Sequence, residues 1–404
     1  MQGAPAGPFR IACLAILFAL AACQKPLATS APPLPGTTYA WVTFDASGVI
    51  ESGAEGLADR ARGRALTVND PVRIASVSKL VVALGVLRLV ERGRVDLDRD
   101  VSDYLGWSLR NPAFPDVPIT LRTLLSHRSS LQDAGEAYVI PLGRKLRDAI
   151  GLDVFDREHK PGSFFRYSNL NFPVVATALE RATGERFDRL MQREVIAPLA
   201  LEACFNWTTC GSGAIGRAVV LHAPDGAVLR DDLGGRPPPC PVAITGTACD
   251  LDGYEIGTNG AIFSPQGGLR ISAADLARIG QLLLNRGRYR GRAFLSAASM
   301  DELERNAWSF DGANGDTSGG FYCGYGLALQ ILPVRTHGCR DDLFATGRHA
   351  IGHAGDAYGV RSGLWVDPER RVGIVYFAAN NGPEPPAGRS AYRAIEEWLA
   401  GKLP

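Results

Sequence analysis

The densest apolar stretch after residue 40 runs from Ser76 to Glu91. Leu80, Val81, Val82, Leu84, Val86, Leu87, Leu89 and Val90 cover most of a helical circumference. A helix apolar all round is expected to be buried, and Gly93 marks its end. Two further helices follow from the same period. One spans Pro173 to Thr183 and is closed by Gly184; the other spans Leu276 to Leu284, introduced by Ser272 and Asp275 in capping-box spacing. Thr120 to Ser126 is expected to open a short helix. Residues 38–44 alternate and branch like a strand, with a turn at Asp45 to Gly48 and a second strand from Val49. Gly326 to Leu332, Gly363 to Val366 and Val372 to Ala378 read as strands, and the chain closes with a helix over Gly388 to Leu399. Strands at both ends and helices between them predict a central antiparallel sheet, built from both termini and flanked by helices, with a helical lobe inserted at about 101–200.

The first residues have a different pattern. Arg10 precedes the apolar run Ile11 to Ala22. That run is shorter than the roughly 20 residues needed to cross a bilayer and fits the apolar core of a signal peptide. It ends in Leu20-Ala21-Ala22-Cys23, which resembles a bacterial lipobox. The resemblance implies a signal over residues 1–22, lipidation of Cys23, and a flexible Pro/Ala/Ser/Thr tether over 23–37. It places residues 38–404 on the periplasmic side of a bacterial envelope. Gln24, where an Asp would favour inner-membrane retention, favours the outer membrane if the cell is Gram-negative.

Six cysteines remain after Cys13 and Cys23: Cys204, Cys210, Cys240, Cys249, Cys323 and Cys339. An even number in an exported chain points to disulfides, and six allow 15 pairings. Pairing of sequence neighbours (204 with 210, 240 with 249, 323 with 339) is expected because each pair is close along the chain. The stretch 204–255 also carries Arg236-Pro237-Pro238-Pro239-Cys240-Pro241 and a hairpin signal at Asp225-Gly226, so it reads as an irregular, disulfide-stapled insertion. With 43 basic and 42 acidic residues the chain has no charge excess that would call for nucleic acid as a partner. It carries neither a phosphate loop nor a strand-linked GxGxxG, so no nucleotide cofactor is expected. His349 and His353 stand four apart, but on a strand-like segment without HExxH, and no metal is expected.

Candidate chemistry starts at Ser76-Val77-Ser78-Lys79. On a helix, positions three apart share a face, so the Ser76 hydroxyl and the Lys79 amine would meet. A serine hydroxyl is a weak nucleophile until a base takes its proton, and a buried lysine can serve because desolvation lowers its pKa. Lysine occurs only at 25, 79, 145, 160 and 402, which makes one inside an apolar helix notable. By itself the motif is weak, since a lysine can also snorkel from a half-buried helix.

The surrounding motifs extend it. Ile74-Ala75-Ser76-Val77-Ser78-Lys79 is followed by Gly93-Arg94-Val95-Asp96-Leu97-Asp98, then by the stretch Ile119 to Leu131. Next come Pro161-Gly162 to Tyr167-Ser168-Asn169, Gly267-Gly268-Leu269 to Asp275-Leu276, and His353-Ala354-Gly355. In this order they resemble the serine β-lactamase and penicillin-recognising superfamily, in its class C-like branch of β-lactamases, D-alanyl-D-alanine carboxypeptidases, D-aminopeptidases and β-lactamase-like esterases. The resemblance implies an α/β (α+β) fold of β-lactamase type and an acyl-Ser76 intermediate. It implies Tyr167 as second member of an acid–base pair, with a pKa lowered toward neutrality by the neighbouring ammonium. Asn169 would hold the substrate carbonyl or steady Lys79. His353 and Gly355 would stand where the family has K-T-G or H-x-G, and the backbone N–H groups of Ser76 and Asp356 would form the oxyanion hole. His127, His159, His222 and His337 have no evident role.

Two departures bear on substrate. Ala354 lacks the hydroxyl that helps hold a β-lactam carboxylate, and Asp356 adds a negative charge. Two like charges ~6 Å apart at an effective dielectric of about 20 repel by roughly 3 kcal/mol before screening, although Arg361 is placed to offset this. An ester, an amide or a D-amino-acid peptide is therefore the expected substrate, ahead of a β-lactam or a carboxypeptidase substrate. A catalytically silent envelope protein that binds a ligand is the reading from another class.

Overall fold

The computed structural model describes Met1, Gly3 and residues 36–404 other than 136, 224, 247 and 381–386. The expected signal segment, Cys23 and the tether as far as Pro35 lie outside the described residues. Among the described residues no helix is long and apolar enough to cross a membrane.

Strand β1 (Thr38–Asp45) is buried along almost its whole length because the sheet is covered on both faces. Ala40, Val42 and Phe44 enter the main core, while Tyr39 and Trp41 point the other way, into a second cluster. Successive side chains of a strand face opposite sides, so a doubly covered strand loses the polar alternation of an exposed one. Its neighbour β2 (Val49–Glu55) is an exposed edge. The sheet continues through β3 (Trp308–Ser309), β4 (Gly324–Tyr325), β5 (Gln330–Leu332), β6 (Ala350–Ala357), β7 (Val360–Asp367) and β8 (Val372–Ala379). Its spatial order is β3-β4-β5-β6-β7-β8-β1-β2, antiparallel throughout. The N-terminal strand thus pairs with the C-terminal one, Thr38 opposite Ala379.

One face of the sheet meets α1 (Val77–Glu91) and α3 (Ala273–Leu284), and α2 (Asn171–Thr183) shares their main core; α4 (Ala394–Ala400) belongs to the cluster on the other face. The approach of α3 is close. A Cβ on Gly280 would stand 2.1 Å from the Phe44 ring, and one on Gly373 of β8 would stand 2.3 Å from the same ring. Both glycines are therefore dictated by the ring between helix and sheet. At α3 only half of the expected capping box forms. Ser272 accepts from Asp275 N (3.1 Å), but the Asp275 carboxylate turns to Glu202 N (2.8 Å) and Arg278 (2.8 Å). The helix starts at Ala273, three residues before the expected point.

Two other expectations are corrected. Gly326 to Leu332 is not one strand: residues 326–329 form the turn between β4 and β5, with Ala328 in the left-handed region (φ 51°) and its N–H on Leu125 O (2.8 Å). The final helix does not begin at Gly388 but at Ala394. Glu397 reaches back to accept from Ser390 N (2.8 Å) and from Arg389, which folds 388–393 into a turn instead. Disulfides Cys204–Cys210 and Cys240–Cys249 lie in the stretch 204–255, and Cys323–Cys339 lies beyond it, all in the neighbour pairing expected. Buried Glu180 of α2 ties three loop segments together, accepting from Phe187 N (2.8 Å), Tyr254 Oη (2.5 Å) and Gly257 N (2.9 Å).

The Phe44 contact makes Gly280 a sensitive position. Gly280→Ala is expected to destabilise the fold by about 1–3 kcal/mol through overpacking, read as a lower midpoint in urea unfolding.

Candidate active site

The chain reaches Ser76 through a constrained turn. Val72–Arg73 pairs with Leu269–Ile271, and Ile74 N donates to Leu269 O (3.1 Å). Ala75 then takes a left-handed conformation (φ 47°), which costs a non-glycine residue about 1–2 kcal/mol. Ser78 holds the turn: its Oγ donates to Ala75 O (2.6 Å) and accepts from Leu269 N (3.1 Å). Ser76 stands immediately before α1, half-buried, and its side chain makes no capping bond. Strand β6 runs directly against it. A Cβ at Gly355 would lie 2.5 Å from Ile74 O and 3.1 Å from Ser76 N, so only glycine admits this contact.

Lys79, one turn along α1, is fully buried. Its Nζ lies 3.0 Å from Ser76 Oγ, 2.9 Å from Asn169 Oδ1 and 2.8 Å from Gln266 O. Burial lowers its pKa to about 7, partly opposed by the Asp133 carboxylate. A neutral amine has two N–H bonds and one lone pair. The two carbonyl oxygens can only accept, so they take the two N–H bonds, and the lone pair is left for the Ser76 hydroxyl proton. That is the geometry a general base needs.

Tyr167 and Asn169 come from the segment leading into α2. The Tyr167 ring lies under Lys79, whose Nζ is 4.9 Å from its centroid. Its hydroxyl is directed at Ser76 and Tyr322, whose hydroxyls favour the anion. It closes a hydrogen bond of normal geometry with neither. Contrary to the expected lowering, burial raises the Tyr167 pKa, and the nearby Asp133 and Asp356 carboxylates add to the rise. The Ser76 and Tyr322 hydroxyls, which favour the anion, do not reverse this. Tyr167 is therefore a phenol at neutral pH, suited to donating or relaying a proton.

Two other rings stack on the Tyr167 ring. Tyr322 stacks on it at 4.5 Å and His127 at 4.2 Å. His127, left without a role by the motif reading, lies inside the site. Its Nδ1 accepts from Ser168 N (3.0 Å), so the neutral ring carries its proton on Nε2, and its backbone carbonyl accepts from Arg166 N (2.9 Å). Burial, then Lys79 and His353, push its pKa well below the usual value. His353 is completely buried in β6. Its Nδ1 donates to Ala354 O (2.5 Å) and its Nε2 accepts from Tyr325 Oη (2.7 Å). Burial and Lys79 lower its pKa to about 3. With both nitrogens engaged, His353 forms the floor of the site rather than a substrate contact. Asp356 is exposed at the mouth, directly opposite Arg361 and paired with it at 2.6 Å.

Asp133 was not singled out by any motif. It lies in a loop, two residues beyond the stretch that ends at Leu131, and accepts from Ser168 Oγ (2.9 Å), Asn169 N (3.0 Å), Asn169 Nδ2 (2.9 Å) and Leu170 N (3.0 Å). An acidic residue in a loop carries no period or spacing that would reveal this. Behind the Ser76 turn, Asn206 Oδ1 accepts from Arg73 (3.1 Å) and Arg270 (2.9 Å). Among the described residues no cluster of His, Cys, Asp and Glu could hold a metal ion.

Comparison with known proteins places the chain among relatives. The family model described as Beta-lactamase matches residues 36–397. Esterase EstB of Burkholderia gladioli is 36% identical over 169 residues, 37% of this chain and 42% of that protein. The D-alanyl-D-alanine-carboxypeptidase/endopeptidase AmpH of Escherichia coli K12 is 32% identical over 136 residues, 32% of this chain and 35% of that protein. The matched stretches thus span less than half the length of these two relatives. A class C beta lactamase from Rhodobacter sphaeroides superposes with a TM-score of 0.64 at 17% identity, over 91% of this chain and 94% of that one. At that identity the likeness is one of fold, a β-lactamase-like architecture with a large antiparallel sheet and helices.

The Lys79 environment sets a pH dependence. Acylation of Ser76 by p-nitrophenyl acetate is expected to rise about tenfold per pH unit below the Lys79 pKa of about 7. It should level off above that pH, because only the neutral amine can take the proton. Burst amplitudes and rates from pH 5 to 9 check this. A rate that falls with rising pH would contradict the assignment of the base.

Proposed function

We propose that this chain, which belongs to the Beta-lactamase family, is a serine acyl hydrolase that works through an acyl-Ser76 intermediate. The observation that carries the reading is the Lys79 amine, buried and 3.0 Å from Ser76 Oγ, with two carbonyl oxygens on its other side. As Ser76 Oγ attacks the substrate carbonyl carbon, Lys79 takes the hydroxyl proton. The carbonyl π bond opens to an oxyanion, which the N–H groups of Ser76 and Asp356 would stabilise. When the bond to the leaving group breaks, a proton passes to the departing alcohol or amine through the Tyr167 phenol, which Lys79 reprotonates. Water then attacks the acyl-Ser76 ester by the same path in reverse, releasing the acid and free serine.

Ester or amide substrates, including D-amino-acid peptides, fit this site better than β-lactams. Asp356 sits at the mouth, and its partner Arg361 is already engaged by it. Ala354 brings no hydroxyl, and its side chain packs in the cluster on the far face of the sheet. The names of the relatives, an esterase and a carboxypeptidase/endopeptidase, point the same way. A preformed base, phenol and amide around one serine favour an enzyme over a silent binding protein. We also propose that the chain is exported and anchored through lipid on Cys23, on the strength of Leu20-Ala21-Ala22-Cys23.

Two experiments test these readings. The wild type is expected to hydrolyse a short-chain chromogenic ester faster than a chromogenic cephalosporin, and Ser76→Ala to abolish both. Hydrolysis of neither, or an unaffected mutant, sinks the enzyme reading. In bacteria fed radiolabelled palmitate the full chain should take up label and Cys23→Ser should not; equal labelling of both would remove the anchor.

A further inference from the structure

The Asp133 carboxylate has a consequence for Lys79 that depends on the hydrolase reading above. A carboxylate can only accept hydrogen bonds, so the Asn169 atom facing Asp133 Oδ2 at 2.9 Å must be the NH2 group. The other end of the same amide, Oδ1, is thereby turned to Lys79 Nζ at 2.9 Å. Three further bonds make Asp133 rigid in this duty: Asn169 N on the same oxygen, and Ser168 Oγ and Leu170 N on the other. If the amide were reversed, its NH2 would point at Lys79. A neutral Lys79 would then turn its lone pair to that N–H, and an N–H of its own would face Ser76.

We propose that Asp133 is a positioning residue that fixes the orientation of the Asn169 amide and so keeps the Lys79 lone pair on the Ser76 hydroxyl. Asp133 touches neither Ser76 nor the reacting carbonyl; it acts through Asn169. The other groups facing Lys79 leave this task to it. Tyr167 presents its ring, His127 is neutral with its Nδ1 on Ser168 N, His353 is neutral and bonded through both nitrogens, and Gln266 contributes a backbone carbonyl that cannot reverse. Asp133 also bears the carboxylate that opposes the lowering of Lys79. Removing its charge therefore moves the acid limb of the pH profile to lower pH, a change that loss of packing alone would not produce.

The experiment combines a polarity swap with an activity-free readout. Asp133→Asn is expected to slow acylation of Ser76 by p-nitrophenyl acetate about 10- to 100-fold, with KM changed less than about 2-fold. The acid limb should move below that of the wild type. In the double variant Asp133→Asn with Asn169→Asp, residue 133 can donate and residue 169 presents a carboxylate oxygen to Lys79. It should acylate faster than either single variant, with its acid limb moved to higher pH by the charge now next to the amine. A wild-type rate and unchanged profile in Asp133→Asn, or a double variant no faster than the slower single one, would overturn the inference. Side-chain 15N NMR of Asn169 tests the orientation without turnover. One wild-type amide proton should be shifted downfield by the carboxylate, and the resonance should follow the Lys79 titration, with both features lost in Asp133→Asn. Their absence from the wild type overturns the role of Asp133 whatever the protein hydrolyses. Absence of ester turnover with the NMR features intact overturns the hydrolase reading alone.

Discussion

The burial of one amine without a counter-ion in contact is the constraint around which this molecule is arranged. Lys79 is wholly enclosed, and its hydrogen-bonding neighbours are a hydroxyl and two carbonyl oxygens rather than a carboxylate. An ammonium in such a place loses hydration that dipoles only partly replace, so the neutral form gains weight at physiological pH. α1 is accordingly buried over most of its length around Lys79, which keeps the amine from water.

The scaffold meets that constraint by bringing distant segments together. Ser76 and Lys79 are local to α1, but Gln266 lies on the loop before Leu269–Ile271, Asn169 leads into α2, and Gly355 belongs to a sheet strand that arrives near the end of the chain. The Ala75 turn is held in its left-handed conformation by Ser78, by Leu269 and by the close passage of β6. Strain of this kind persists only where packing on several sides leaves no alternative. The outcome is a hydroxyl displayed at a helix start, where amide N–H groups lack intrahelical partners and favour developing negative charge.

Around the amine the other titratable groups are kept neutral. His127 and His353 are buried and spend their acceptor nitrogens on Ser168 N–H and the Tyr325 hydroxyl. Tyr167, stacked against His127 and Tyr322, keeps its proton. Carboxylates stand nearer the rim, at Asp133 and in the Asp356–Arg361 pair, while the Arg73 and Arg270 guanidiniums lie behind the Ser76 turn. A low-dielectric interior makes each dipole around the serine count for more when an oxyanion forms.

The sequence alone determined the parts of this protein that depend on near neighbours. The buried helix followed from its unbroken apolar run, the pairing of Ser76 with Lys79 from the helical repeat, and the neighbouring disulfides from short separations. The strands from the two ends of the chain followed from β patterning, and family membership from several motifs in order. Only the tertiary structure decided what depends on residues far apart in the chain. It divided 326–332 into a turn and a strand because Ala328 is bonded to Leu125, and it shortened the last helix because Glu397 captures Ser390. It raised Tyr167 rather than lowering it, because the field at a phenol is the sum of burial and of carboxylates from other loops. It brought His127 and Asp133 into the site and sent His353 to its floor. A side chain's type and spacing limit what it can bond to; which partner it meets, and which proton it keeps, depends on the solvent and charges that the rest of the fold leaves around it.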